Sequence, residues 1–134
     1  MMLTLASCDM ELTPAGEIQD EQALQTTDDY GKFTLGILSQ MRGVTSGDYV
    51  VLSDIQLDDF HAVIGNGNRR MDFYNGSFNP STGEIGSYFS AFYAVISQTN
   101  FFLGKALQKM QDPSLTPEYR DLMHAYMGQV YFVR

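Results

Sequence analysis

Tryptophan is missing from this 134-residue chain, cysteine occurs once and histidine twice. One cysteine excludes an intramolecular disulfide and any multi-cysteine metal site. With His61 and His124 as the two imidazoles, a metal enzyme would have to rely mostly on carboxylates. Basic residues are also scarce, eight Lys and Arg against sixteen Asp and Glu for a formal charge of −8. That balance argues against a phosphate-binding surface, so nucleic acid is not an expected partner. No apolar run reaches the ~18 residues of a membrane-spanning helix.

What remains is a composition able to fold. Hydrophobic residues make up 44% of the chain, with nine Phe and eight Tyr, enough for the core of one small domain and too little chain for two. The charge is uneven. Residues 1–67 carry eleven acids and two bases, whereas residues 68–134 carry five acids and six bases.

The single cysteine has an informative setting. Met1 to Ser7 form a short apolar stretch ending in small residues, and Leu5-Ala6-Ser7-Cys8 looks like the lipobox of bacterial lipoproteins. In that reading Cys8 is a lipid attachment point, and residues 1–8 are the truncated end of a signal lacking its basic start and most of its apolar core. Several acyl chains on one cysteine would anchor the chain firmly, since each buried methylene contributes roughly 0.8 kcal/mol. Residues 9–27, rich in acids and Thr with Pro14 and Gly16, read as an acidic tether.

Beyond the tether the patterning is helical. Tyr30, Phe33, Ile37, Leu38 and Met41 recur at helical spacing, which predicts a helix over 28–41 with Asp28 as N-cap and Gly43 as its stop. Tyr49-Val50-Val51-Leu52 fits an extended segment or a buried helix. Residues 66–86, rich in Asn, Gly and Ser with Pro80, predict a long loop. A second helix is predicted over 87–110, with Phe89, Phe92, Phe102 and Leu103 in the core and Gly104 at a close helix contact. Thr116 as N-cap, Pro117 at the first helical position and Glu118 then start another, with an apolar stripe of Leu122, Tyr126, Val130 and Val133 and close packing at Gly128. The short link implies an antiparallel pair, the unit of helical solenoids. The pattern is still running at Arg134, so residues 28–134 are expected to be an incomplete front piece of a larger scaffold.

Four features in order resemble the N-terminal part of SusD/RagB-family outer-membrane nutrient-binding lipoproteins of the Bacteroidetes. They are Cys8 with the acidic tail through Thr13-Pro14-Ala15-Gly16-Glu17-Ile18, then Leu52-Ser53-Asp54-Ile55 with Asp58-Asp59, then Phe92-Tyr93-Ala94-Val95-Ile96 leading to Thr99-Asn100-Phe101-Phe102-Leu103, and last Gly128-Gln129-Val130-Tyr131-Phe132-Val133-Arg134. Gln129 and Val130 stand where the family more usually has Ala or Glu, and family members are several times longer. The resemblance implies an all-α fold of tetratricopeptide-like helix pairs with long irregular loops. It also implies a lipid-anchored, cell-surface location on the outer membrane. The implied role is non-enzymatic: binding an oligosaccharide and delivering it to a TonB-dependent, SusC-like transporter barrel, with no cofactor and no metal.

Sugar binding needs aromatic faces for the apolar side of a ring and polar side chains for its hydroxyls. Arg69, Arg70, Phe73, Tyr74, Asn75, Phe78 and Asn79 supply that mixture in one loop and are the ligand-binding candidates. The competing reading is a loop whose rings plug the gap over the long helix. Asp54, Asp58 and Asp59 lack the alternating ligands and turn glycine of a calcium loop, and capping or exposure explains them. Gly65-Asn66-Gly67 lacks the strand that precedes a phosphate loop. With no nucleophile motif and no paired catalytic carboxylates, an enzyme has nothing in its favour. The alternative to sugar binding is a tetratricopeptide-like protein-interaction module, and the two differ in whether the rings of 69–79 are open or buried against the long helix.

Overall fold

The computed structural model describes residues 23–62, 65, 67 and 69–134. The lipid-attachment reading of Cys8 and most of the tether lie outside these residues. The described chain is all-α, with α1 at Thr27–Ser46, α2 at Asp48–Gln56, α3 at Met71–Tyr74, α4 at Gly83–Lys109 and α5 at Pro117–Val133. No strand occurs among the described residues.

Helix α1 begins earlier than the hydrophobic spacing predicts, because its N-cap is Thr26, two residues before Asp28. The Thr26 hydroxyl accepts from the Asp29 amide at 3.2 Å, and the Asp29 carboxylate accepts from the Thr26 amide at 2.9 Å. This reciprocal capping box satisfies two amides that would otherwise lack partners. The Thr26 backbone amide, followed by its hydroxyl, holds the Asp29 carboxyl below its ordinary value of 3.8. That contribution is complete above pH 3.8 and is lost as the pH falls through the lower folded value. Thr26→Ala is expected to lower stability by about 1 kcal/mol in urea melts at neutral pH. An unchanged midpoint would mean that α1 holds its start without the cap.

Gly43 does not end α1. A side chain there would meet open space, and the helix runs three residues further to Ser46. The break comes at Gly47, whose backbone leaves the helical region and where an added Cβ would sit 3.1 Å from the Gly43 carbonyl oxygen. The stretch from Tyr49 to Leu52 resolves as helix, inside α2.

Helices α1, α4 and α5 each pack on the other two. Tyr30, Ile37, Val95, Phe102, Leu103, Ala106, Met123 and Val130 form the centre of the core. The two buried threonines bond back to their own helices, Thr34 to the Tyr30 carbonyl at 2.8 Å and Thr99 to that of Ile96 at 2.7 Å. Close approach of α1 to α5 uses Gly31, where a Cβ would lie 2.8 Å from the Tyr126 hydroxyl. Gly104 and Gly128, predicted for that role, have nothing near them.

Thr116 caps α5 as predicted, accepting from the Tyr119 amide at 3.2 Å with Pro117 following. The buried face of α5 is Met123, Met127 and Val130, however, and Leu122 is exposed. The same rotation leaves Phe132 91% exposed. Arg120 adds a lock that the apolar pattern does not reveal. Its guanidinium donates to the carbonyls of Met110 and Asp112, closing the exposed end of α4.

Candidate functional site

The region between α2 and α4 is built on turns. The Asp54 carbonyl accepts from the Asp59 amide at 2.9 Å and from that of Phe60 at 3.3 Å, and Asp58 takes a left-handed conformation, φ 66°. Asp58 therefore leaves the helix and does not stack on Asp54 one turn away. Among the described residues no cluster of three or more His, Cys, Asp or Glu side chains could hold a metal ion.

A second left-handed residue, Arg70 at φ 60°, opens α3 and accepts through its carbonyl from the amides of Phe73 at 3.1 Å and Tyr74 at 3.2 Å. The short helix turns Phe73 inward, 5% exposed, while Tyr74 stays open. Phe78 stacks on Phe73 at 5.0 Å and 12°. Helix α3 contacts α2 and no other helix among the described residues. Helix α3 itself therefore does not lie over α4, and Phe73 is a packing residue.

The seven sequence candidates separate accordingly. Arg69 and Arg70 line a cleft of 560 Å³ together with Val51, Ile55, Phe60, His61, Ala62 and Gly65. Tyr74 reaches the edge of this cleft through His61, its hydroxyl 3.2 Å from Nδ1 and the two rings edge to face at 5.6 Å. Phe78 covers Phe73, and Asn75 ends α3. Asn79 serves its own turn, its amide oxygen accepting from the Ser81 amide at 2.8 Å.

Phe60 and His61 were not among the candidates, and nothing local marks them. His61 and Tyr74 are 13 residues apart, and only the fold brings them together. His124 is exposed on α5. A second cleft, of 360 Å³, is lined by Tyr30, Lys105, Lys109 and Asp112 among others, so its charge is mixed.

Helix α2 holds the site against α4 through an aromatic cluster. Tyr49 stacks on Tyr88 at 5.5 Å and 4°, and Tyr88 meets Phe92 edge to face at 4.8 Å. One residue on, Phe89 is 61% exposed and packs only locally, with its ring 4.5 Å from that of Tyr93. Its predicted place in the core is not realised: thirteen residues before Phe102, it lies about 140° around the helix from the face that carries Val95, Phe102 and Ala106. Among the described residues no helix is long and apolar enough to cross a membrane. No family model, curated protein or solved structure matches this sequence.

Proposed function

We propose that this chain is the N-terminal helical part of a SusD/RagB-like glycan-binding lipoprotein. In this reading Cys8 carries the lipid, the acidic tether spaces the domain from the outer membrane, and the helices are tetratricopeptide-like pairs beside a TonB-dependent transporter barrel. The observation that carries the sugar reading is the exposure of two rings, Phe60 and Tyr74, beside the arginines. Phe60 is 53% exposed and Tyr74 40%, at and beside a cleft that also holds Arg69 and Arg70. Rings of this kind take the apolar face of a sugar, and the guanidinium donors take its hydroxyls.

The protein-interaction reading is favoured by a different surface. Phe89 and Tyr93 on α4 and Phe132 on α5 are large, exposed and outside the cleft, as an apolar protein contact requires. The two readings separate on native gels cast with a wide panel of neutral and acidic polysaccharides. Retardation of the full chain by at least one polymer, weakened by Tyr74→Ala, is the expected result. If no polymer retards it, sugar binding is wrong. The anchor has its own check: the wild-type chain, expressed behind a complete lipoprotein signal, should partition into detergent, whereas Cys8→Ser should remain aqueous. Equal partitioning would remove Cys8 from the proposal.

A further inference from the structure

The cleft between the end of α2 and the start of α3 has a chemistry more specific than sugar binding in general. Its polar side chains are Arg69, Arg70 and His61, and no carboxylate is among the described residues that line it. Arginine is a donor only, with five N–H groups in a planar fork. The Tyr74 hydroxyl stands 3.2 Å from Nδ1 of His61 and pairs with it on the rim. The rim therefore offers the donors and positive charge of the Arg69 guanidinium, while Val51 and Ile55 supply an apolar wall. Asp58, Asp59 and Asp72 are close in sequence but do not line the cleft.

A neutral sugar presents hydroxyls that both donate and accept, whereas a guanidinium only donates. A planar or tetrahedral oxyanion on a sugar ring matches it better, since guanidinium groups bind such anions by paired, charge-assisted hydrogen bonds. The volume of 560 Å³ falls in the range of roughly 300–1,000 Å³ typical of small-molecule sites. Resting on the glycan reading above, we propose that this cleft binds an acidic saccharide through its oxyanion, a carboxylate or a sulfate ester, with Arg69 as the principal contact. The chain as a whole is at −8, so bulk electrostatics opposes a polyanion and retention reports a local site.

The test runs the full chain on native gels containing polygalacturonate or dextran sulfate, each paired with neutral galactan or dextran. Arg69→Ala, Arg69→Lys and, on the far exposed surface of α1, Arg42→Ala are compared after circular dichroism has shown each to be folded. Retention by an anionic polymer should exceed that by its neutral partner. Arg69→Ala should weaken it at least tenfold, Arg69→Lys should restore part of the loss, and Arg42→Ala should change it less than twofold. Retention by polygalacturonate alone assigns a carboxylate, and by dextran sulfate alone a sulfate ester. Equal retention by neutral and anionic polymers, or retention indifferent to Arg69→Ala, overturns the inference and leaves the glycan reading standing. Retention by none of the four also overturns it, and the wider panel then decides the glycan reading by itself.

Discussion

Phe102→Ala is expected to lower the unfolding free energy by about 3–5 kcal/mol. The ring is fully buried in α4, edge to face with Tyr30 at 5.5 Å and near-parallel to Phe33 at 6.1 Å. It thus stands where α4 meets α1, and alanine would leave a cavity that two rigid helices cannot close. A domain of this size has about 5–15 kcal/mol in total, so the loss is a large share of it. Phe89→Ala provides the comparison, since it is the same substitution in the same helix at a position facing solvent. Its expected effect stays near 0.5 kcal/mol, set by the local Phe89–Tyr93 contact. Urea melts followed at 222 nm measure both, and equal effects would contradict the placement of either ring.

The contrast between these two phenylalanines also marks how far the sequence could be read. Helical spacing identified α4 because its apolar positions persist over many turns, and Thr116-Pro117 fixed the start of α5 because cap chemistry is local. A long apolar run does not by itself say which face is buried. Phe89 stands thirteen residues before Phe102 and so about 140° around the helix from the buried face of Val95, Phe102 and Ala106. The predicted stripe of α5 held at Val130, which is buried, and at Tyr126 and Val133 on the edge of the core, but it took Leu122 where Met123 and Met127 face inward. Met123 and Met127 sit four residues apart beside an equally apolar line through Leu122 and Tyr126, and only the position of α1 chooses between them.

At the candidate site the legible part was the loop composition, which drew attention to 69–79. What could not be read was the pairing across it. Two left-handed residues, Asp58 and Arg70, redirect the chain so that His61 faces Tyr74 and Phe60 joins the two arginines. A left-handed conformation at Asp is common enough to be anticipated, but at Arg it has no sequence signature. The site depends on both turns, with Phe60 and His61 coming from one end of the loop and Arg69, Arg70 and Tyr74 from the other.

Raising the pH is expected to destabilise the protein through Tyr30. Burial, followed by the nearby Tyr119 and Asp29, pushes this phenol up to about 12 from an ordinary value of 10.0. The neutral form is the one the fold favours. Its contribution is therefore complete below pH 10 and is lost as the pH rises toward the folded value of about 12. A shift of that size corresponds to a loss on the order of 2–3 kcal/mol. Tyr88 and Tyr119 are also raised by burial and lose stability in the same direction. Tyr30→Phe separates the contributions: it keeps the ring against Phe102 and removes the ionising hydroxyl. Near pH 8 the variant should melt close to the wild type, and between pH 10 and 12 it should lose much less. Should both chains lose stability equally over that interval, the alkaline weakness would belong to the other tyrosines, and the Tyr30 hydroxyl would not be held in the neutral form by the core.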